Sequence, residues 1–389
     1  MSRTIAVVTG TRAEYGLLSP LMRLLKDDES FDLRVIVTGS HLSKQHGLTY
    51  RFIEEDGFDI AAKVDLHLSG DEPGDILGAL ARATEGIGKV LLEIAPDLVV
   101  ILGDRYEILG AAQAAMIARI PIAHIHGGEI TEGAIDESIR HAITKMAHLH
   151  FASTADYARR IRQLGENPAH VFNVGAPGLD NIRTMKLLTR KDLAGSLGFD
   201  LGNGFLLVTY HPVTLGDRDE VEALEEMLEA LDAFPDLKTI ITFPNADTHG
   251  QKLANRLKAY AGAHPDRVYL SESLGQLRYL SAMKEAEAVV GNSSSGIIEA
   301  PSLGTPTVNI GVRQKGRIAA DSVIHCGDNA KEIEKAIAKA LTKDFKAIAS
   351  RCTNPYGSGH ASEHIRTVLK TIDLGQFGRK PFFDLSEAE

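Results

Sequence analysis

Short apolar runs rich in β-branched residues alternate along this chain with longer segments of helical periodicity. The short runs are nearly continuous, which is typical of parallel strands that are buried on both faces. The first half of the chain has such runs at residues 5–8, 33–37, 98–102, 121–125, 148–152 and 171–174. The second half has them at residues 205–209, 239–242, 267–270, 288–290 and 307–310.

Amphipathic helices are predicted between these strands, for example at residues 75–93 and 219–233. The second of these segments places five apolar residues on one stripe, Val221, Leu224, Met227, Leu228 and Leu231. Regular alternation of strand and helix predicts an α/β fold with doubly wound sheets. Because the strand series occurs twice, we expect two Rossmann-like domains that face each other across a cleft.

Residues 175–179, with the sequence GAPGL, separate the two series of strands. Glycine and proline at such a break predict a linker or hinge. We therefore predict an N-terminal domain over residues 1–175 and a C-terminal domain over residues 176–360. A tail helix is predicted within residues 361–389, and the sequence leaves open whether it packs back on the first domain.

The amino-acid composition argues against several classes of protein, namely nucleic-acid-binding, disulfide-rich and membrane-spanning proteins. A chain of 389 residues is long enough for two domains, and its net charge of -10 argues against a broad basic surface for nucleic acid. Cys326 and Cys352 are too few for a disulfide framework, which fits a reducing compartment. The chain has no apparent leader, and no apolar run approaches the ~20 residues that span a bilayer. We expect a cytoplasmic protein with no membrane or nucleic-acid partner.

Four polar loops directly follow predicted strands, where open parallel sheets bind their ligands. Their sequences are TGTRAEY at residues 9–15, GDR at 103–105, HP at 211–212 and GNSSSG at 291–296. Glycines let the backbone approach a phosphate, helix N-termini supply N–H donors, and arginines add positive charge. The loops predict a large anionic ligand that both halves of the chain hold.

In the first half, Arg12 can pair with a diphosphate, although it could equally face solvent from an ordinary strand-to-helix turn. Asp104 is a candidate acid or base, or alternatively the N-cap of a helix at residues 106–117. Arg105 is a candidate contact to an anion.

Glu129 and Asp136 add two carboxylates near Asp104. Carboxylates that lie close together shift one another's pKa values, which lets one site hold both an acid and a base. Alternatively, Asp136 precedes a helix predicted at residues 138–147 and favours its dipole. His124, His126 and Glu129 offer a metal alternative, but their spacing is not a familiar metal motif. The sequence therefore predicts no metal and no cofactor.

In the second half, His211 can bind phosphate or protonate a leaving oxygen, or it can be purely structural. Asn245 can bind a ligand or close an Asx turn. The serine loop lacks the lysine of a P-loop, so phosphoryl transfer is disfavoured. The remaining candidates are the loop residues Ser293, Ser294 and Gly296, Glu299 for two ribose hydroxyls, and Arg313 for an anion.

Together with HIHGGE at residues 124–129, FPN at 243–245 and GTP at 304–306, these loops resemble the UDP-N-acetylglucosamine 2-epimerase family. The resemblance covers nearly the whole chain. Ala13-Glu14-Tyr15 follows Arg12 where the non-hydrolysing branch usually has proline after the arginine. The chain is therefore similar to the hydrolysing branch of sialic acid and legionaminic acid biosynthesis.

The resemblance implies a GT-B-like fold and a homodimer or homotetramer. It places the acid and base on Asp104, Glu129 and Asp136, with His211 near the diphosphate. It also implies contacts to the UDP-sugar from Arg12, Arg105, Asn245, Ser293, Ser294, Gly296, Glu299 and Arg313.

The implied reaction releases UDP and N-acetylmannosamine from UDP-N-acetylglucosamine. It runs by anti-elimination to 2-acetamidoglucal, followed by addition of water with inversion at C2. Two alternatives stay open, the same reaction on UDP-N,N'-diacetylbacillosamine and a non-hydrolysing 2-epimerase. A glycosyltransferase is disfavoured by the carboxylates of the first half, and a silent nucleotide-sugar sensor by the retained acid and base groups.

Overall fold

The computed structural model describes residues 2–70, 72–131, 135–211, 220–243 and 250–385. The chain divides into two compact units, counted over the described residues. The first unit covers residues 1–129, 135–181 and 359–389, and the second covers residues 130–134 and 182–358.

The first unit is built on one parallel sheet. Its described strands are β1 (Arg3–Thr9), β2 (Phe31–Thr38), β3 (Ile60–Val64), β4 (Leu98–Leu102), β5 (Ile122–Ile125), β6 (Leu149–Ala152) and β7 (Val171–Asn173). They pair in the order β3-β2-β1-β4-β5-β6-β7. The order reverses beside β1, so the loops after β1 and β4 flank a topological switch point, where such sheets bind ligands.

Helices connect these strands. They are α1 (Arg12–Lys26), α2 (Tyr50–Glu55), α3 (Pro73–Ile94), α4 (Tyr106–Ile117), α5 (Ile135–Met146), α6 (Ala155–Gln163) and α7 (Gly178–Thr184). Along β1, Ile5 and Val7 belong to one buried core, whereas Ala6 and Val8 belong to the core on the other face. Both faces of the strand are covered, and this is why its sequence is apolar without alternation.

The second unit repeats the plan in the part of the chain that is described. Its strands are β8 (Phe205–Thr209), β9 (Lys238–Thr242), β10 (Val268–Ser271), β11 (Ala288–Gly291), β12 (Thr307–Ile310) and β13 (Val323–Cys326). They pair in parallel in the order β10-β9-β8-β11-β12-β13. Its helices are α8 (Arg190–Leu197), α9 (Glu220–Asp232), α10 (Gly250–Ala263), α11 (Gly275–Glu285), α12 (Ser294–Ile298), α13 (Ala330–Ala340) and α14 (Lys343–Ala349).

Both faces of the second sheet are covered in the same way. Leu206 and Val208 of β8 pack in one core, and Phe205 and Leu207 pack in the other. The predicted class, two Rossmann-like doubly wound α/β units, is confirmed. Among the described helices, none combines the length and the apolar character that crossing a membrane requires.

The structure differs from the prediction in two strands and in the first residue of one helix. The edge strands β3 and β13 were not predicted, because their exposed and half-buried positions break the continuous apolar run of a central strand. Helix α5 begins at Ile135, so Asp136 lies inside its first turn instead of before the helix. Asp136 and Glu137 are compatible with the positive end of the helix dipole, and this permits the earlier start.

The last helix, α15 (Ala361–Thr371), belongs to the first unit. The buried carboxylate of Asp180 accepts hydrogen bonds from the backbone N–H groups of Ala361 (2.9 Å) and Ser362 (2.7 Å). Ile365 and Leu369 are buried in the core that also contains residues of α1. The tail is therefore an integral part of this core and not an appendage.

We expect Ile365→Ala to lower the free energy of unfolding of the first unit by about 2–5 kcal/mol, because it leaves a cavity in a packed core. Ile117→Ala is the matched control, since Ile117 ends α4 in the same unit and is 72% exposed. The control is expected to change stability by less than about 0.5 kcal/mol. Thermal and denaturant unfolding measure both variants, and equal losses would contradict the assignment of the tail to the core.

Candidate functional site

The polar loops of the first unit lie at the edge where its parallel strands end. In the loop after β1, the Thr11 side chain caps α1 by accepting a hydrogen bond from the backbone N–H of Glu14 at 3.2 Å. The Glu14 carboxyl in turn accepts from the backbone N–H of Gly10 at 3.0 Å. This resembles a capping box, whose Thr-x-x-Glu pattern is readable in the sequence. The Arg12 guanidinium lies over the Phe52 ring, 4.7 Å from its centroid.

Asp104 is held by an arginine of another element. Its Oδ2 accepts a hydrogen bond from Nη2 of Arg140, which projects from α5 and is 3% exposed. The predicted alternative that Asp104 is the N-cap of α4 is wrong, because Arg105 occupies that position and its side chain makes no capping bond. Sequence reasoning missed Arg140, although it lies one helical turn after Asp136, on the same face of α5.

Glu129 is held by Ser153, the residue that directly follows the next strand of the sheet, β6. Its Oε1 accepts a hydrogen bond from Ser153 Oγ at 2.7 Å and lies 3.2 Å from Nδ1 of His126. Gly128 has a φ of 75°, and a Cβ there would lie 2.4 Å from the carbonyl oxygen of Tyr157. The turn that aims Glu129 therefore requires glycine at this position.

The first turn of α5 adds further charged groups to this edge. Asp136 is half-buried, and Glu137 lies 3.8 Å from Arg140 and 3.4 Å from His141. Through Arg140, α5 is tied directly to the loop that carries Asp104. The structure thus links Asp104 with the helix that bears Asp136, while Glu129 is anchored separately by Ser153.

His124 is held by contacts within the first unit. Its Nε2 lies 2.8 Å from the Gly103 carbonyl oxygen, and its Nδ1 lies 3.3 Å from Thr144 Oγ1. Burial lowers the pKa of His124 to about 3, so the imidazole is neutral. Both ring nitrogens face protein partners, and across the described ranges no three histidine, cysteine or acidic side chains are placed to hold a metal ion.

Glu14 and Glu107 form a buried carboxyl pair beneath this edge, with 6% and 1% of their surfaces exposed. Arg105 Nε donates a hydrogen bond to Glu107 Oε1 at 2.7 Å. Burial, opposed by the Gly10 hydrogen bond and reinforced by the charge of Glu107, raises the pKa of Glu14 to about 8. Glu14 is therefore protonated at neutral pH. Sequence analysis assigned no role in the site to Glu107, and it used Glu14 only as part of the first loop motif.

In the second unit, Asn292 organises the predicted anion site. Its side chain accepts a hydrogen bond from the backbone N–H of His211 at 2.7 Å and donates one to the carbonyl of His211 at 2.8 Å. The backbone carbonyl oxygen of Asn292 accepts hydrogen bonds from Arg313 Nη1 at 3.1 Å and from Gln314 Nε2 at 2.8 Å. Asn292 thus contacts the His211 backbone through its side chain and the Arg313 side chain through its backbone, which the sequence order alone did not show.

His211 is 5% exposed. Burial, with a further contribution from the charge of Arg313, lowers its pKa to about 3. The imidazole is thus neutral in this structure, whereas the sequence interpretation considered a protonated ring.

The serine loop is backed by a chain of hydroxyl groups. Ser293 is the N-cap of α12, and its Oγ lies 3.0 Å from Ser295 Oγ. Ser295 Oγ lies 2.6 Å from Tyr279 OH, which lies 3.4 Å from Thr209 Oγ1. These hydroxyl contacts and the Ser293 cap restrain the side chains of the turn.

Glycines hold this turn against the sheet. Gly291 has a φ of 135°, and a Cβ there would lie 2.0 Å from the Thr209 carbonyl oxygen. A Cβ on Gly296 would lie 2.8 Å from Cγ2 of Thr307, so this glycine serves close packing of α12 on β12. Ser294 is the first residue of α12. Glu299 directly follows the helix as its C-cap. Asn245 lies outside the described residues.

Comparison with known proteins shows the family to which the chain belongs. A sequence model of the family described as UDP-N-acetylglucosamine 2-epimerase matches residues 23–370. The chain is 39% identical over 384 residues to the GDP/UDP-N,N'-diacetylbacillosamine 2-epimerase (hydrolyzing) of Campylobacter jejuni subsp. jejuni serotype O:2, covering 98% of this chain and 99% of that protein. It is 35% identical over 387 residues to the polysialic acid biosynthesis protein P7 of Escherichia coli, and the alignment covers 99% of this chain and 98% of that protein.

The fold is also similar to the crystal structure of UDP-GlcNAc 2-epimerase from Neisseria meningitidis bound to UDP-GlcNAc. The TM-score is 0.81, with 20% identity over 95% of this chain and 100% of that chain. At this identity the likeness concerns the fold alone.

We expect Glu14→Gln to stabilise the protein increasingly between pH 5 and pH 8. The unfolded chain ionises Glu14 near its ordinary pKa of 4.5, whereas the folded chain keeps the proton up to about pH 8. Folding in that range takes up a proton, so the wild type loses up to about 1 kcal/mol of stability per pH unit from this group. The glutamine variant has no such loss, and its free energy of unfolding at several pH values measures the difference.

Glu85→Gln is the control for this series. Glu85 is exposed and its pKa is lowered by the hydrogen bond from Lys89, so it is ionised in both states above pH 5.5. Its effect is expected to be constant with pH. A constant difference for Glu14→Gln as well would contradict a proton held by Glu14.

Proposed function

Because the chain belongs to the UDP-N-acetylglucosamine 2-epimerase family, we propose that it is a hydrolysing UDP-sugar 2-epimerase. The resemblance predicted from the loop motifs is thereby confirmed. The enzyme releases UDP from a UDP-linked 2-acetamido sugar and yields the free sugar inverted at C2. The observation that carries the proposal is the end-to-end likeness to a hydrolysing 2-epimerase, with 99% of that protein covered.

The chemistry sets the order of events. The proton on C2 is barely acidic while C1 is bonded to the diphosphate, and it becomes removable as C1 gains positive charge. Departure of UDP therefore leads, and groups that stabilise the leaving diphosphate lower the barrier. Removal of the C2 proton leaves a glycal. Water then adds at C1, and a proton returns to C2 from the opposite face.

We assign the nucleotide chiefly to the second unit. Arg313, fixed through the Asn292 carbonyl, supplies positive charge, and the serine turn with Ser293 and Ser294 supplies N–H and hydroxyl donors. Burial favours the neutral form of the His211 ring, whereas the negative charge of a bound diphosphate favours its protonated form. The ring can then donate to the departing oxygen. Glu299 and Asn245 remain predicted contacts, together with Gly296.

We assign the transfer of protons at C2 to the carboxylates of the first unit. Arg140 orients the Asp104 carboxylate, and Ser153 orients Glu129. Asp136 is the third member of the set, on the first turn of α5. The division of acid and base roles among them stays open. Arg12 and Arg105 are proposed to contact the UDP-sugar.

Two sugars are candidates for the substrate. The relative of 39% identity is named for N,N'-diacetylbacillosamine, and this favours the UDP derivative of that sugar. UDP-N-acetylglucosamine, with N-acetylmannosamine as product, is the second candidate, supported by the relative named for polysialic acid biosynthesis. A cytoplasmic location and a homodimeric or homotetrameric assembly stay predictions.

The purified protein is expected to release UDP from one or both of these UDP-sugars. In heavy water the free sugar is expected to carry deuterium at C2, because the proton returned there comes from an exchanging carboxyl group. Chromatography and NMR of the products measure both results. Recovery of an intact, epimerised UDP-sugar would show a non-hydrolysing enzyme, and a product without deuterium at C2 would exclude the elimination route.

Asp104→Asn and Glu129→Gln are each expected to lower turnover by about 10²–10⁴-fold while UDP still binds. Asp32→Asn and Glu85→Gln are matched controls, because Asp32 is an exposed partner of Arg34 and Glu85 an exposed partner of Lys89. The controls are expected to keep wild-type rates. Near-normal UDP release by both site variants would refute the acid–base assignment.

A further inference from the structure

The buried pair Glu14–Glu107 is not used by the reaction described above. The two side chains come from the first turns of α1 and α4, which follow the adjacent strands β1 and β4. Gly10 lies between them, since its N–H donates to Glu14 and a Cβ on it would lie 2.7 Å from Glu107 Cγ. Any side chain at position 10 would separate the carboxyls or displace them, so the pair depends on this glycine.

Arg105 connects the pair to the proposed site. Its Nε donates to Glu107 Oε1 at 2.7 Å, and Glu107 is almost completely buried while the Arg105 side chain is 37% exposed. Glu107 thus anchors one edge of a partly exposed guanidinium, and the planar fork of arginine can present its other N–H groups to an anion. Glu107 is therefore a positioning residue for Arg105.

The remaining oxygens of the pair are unusual. Glu14 Oε1 and Glu107 Oε2 are both buried, and neither has a hydrogen-bond partner within the described residues. Two ionised carboxylates in such a setting would repel each other with little solvent to screen them. One retained proton removes that repulsion.

The neighbouring charged groups define the local balance. Glu107 in the first turn of α4 and Arg105, the N-cap of α4, act on Glu14. Burial, followed by the charge of Glu107, raises the pKa of the neighbouring Tyr106, so its hydroxyl is neutral at neutral pH. From the segment after β2, burial lowers the pKa of His41 to about 4, and burial followed by the charge of Arg105 lowers that of His46, so both rings are neutral at neutral pH. When Glu14 is protonated, the positive charge of Arg105 and the negative charge of Glu107 cancel. Ionised Glu14 would make the group negative.

We propose that Glu14 is held protonated beside Glu107, so that Glu14 adds no negative charge of its own behind Arg105 where Arg105 meets the diphosphate of the nucleotide. Loss of this proton in mildly alkaline solution introduces a second negative charge and weakens nucleotide binding. The pair thus sets the upper pH limit for binding. This inference rests on the proposed function, because it takes UDP as the ligand of Arg105.

The test is the dissociation constant of UDP, measured by calorimetry on the full-length protein from pH 6.5 to pH 9. We expect the wild-type constant to rise about tenfold between pH 7 and pH 9, with a midpoint near pH 8. Glu14→Gln is expected to match the wild type at pH 7 and to lack this rise. At each pH, the ratio of the dissociation constants of the wild type and Glu14→Gln is independent of the ionisation of UDP, because that ionisation affects both proteins equally.

Glu107→Gln separates a charge effect from a loss of structure. Glu107 raises the pKa of Glu14 by repulsion, so its removal is expected to move the midpoint of the rise to lower pH. A merely structural role would weaken binding equally at every pH. Glu85→Gln, an exposed carboxylate of the same unit, is the control and is expected to follow the wild type.

The outcomes distinguish the two proposals. A wild-type protein that binds no UDP at any pH overturns the proposed function and this inference with it. UDP binding with the same pH dependence in the wild type and in Glu14→Gln overturns this inference alone. A rise that is absent from Glu14→Gln and displaced in Glu107→Gln supports it.

Discussion

Parallel pairing of the strands is the constraint on which both units depend. Every described strand runs parallel to its neighbours, so the carboxyl ends of all strands in a sheet lie at one edge. Loops far apart in the sequence are thereby placed side by side without any need for direct contact between their side chains. In the first sheet this brings the loops after β1, β4 and β5 together, and in the second sheet those after β8, β11 and β12.

That arrangement is unfavourable for polar groups at a strand end, because they are partly withdrawn from water. In each unit specific hydrogen-bond partners offset this loss of hydration. Arg140 satisfies Asp104, Ser153 satisfies Glu129, and the Asn292 amide satisfies the backbone of His211 on both sides. Burial favours the neutral form of other groups, so Glu14 keeps its proton and the His211 ring loses its proton. The same balance that allows the fold also sets the protonation states available to the chemistry.

Much of the fold was predictable because buried strands and amphipathic helices leave local patterns. The runs predicted at residues 98–102, 205–209 and 307–310 coincide with β4, β8 and β12. The pattern failed for β3 and β13, whose edge positions bury only part of each strand. The loops with candidate chemistry were also readable, since glycines at φ values such as the 83° of Gly103 are needed at sharp turns. The side chains that hold those loops were not predictable from the sequence, because Arg140 and Ser153 lie in other parts of the chain.

The sequence by itself determined which segments become strands and helices, and which strand ends carry carboxylates, arginines and serines. Periodicity and turn chemistry are local properties, so a linear reading recovers them. Only the tertiary structure decided which side chains orient those groups and which of them keep a proton. Burial and the distance between charges arise when elements far apart in the chain pack together. Glu14 and Glu107 show this, since 93 residues of sequence separate two carboxyls that share one buried space.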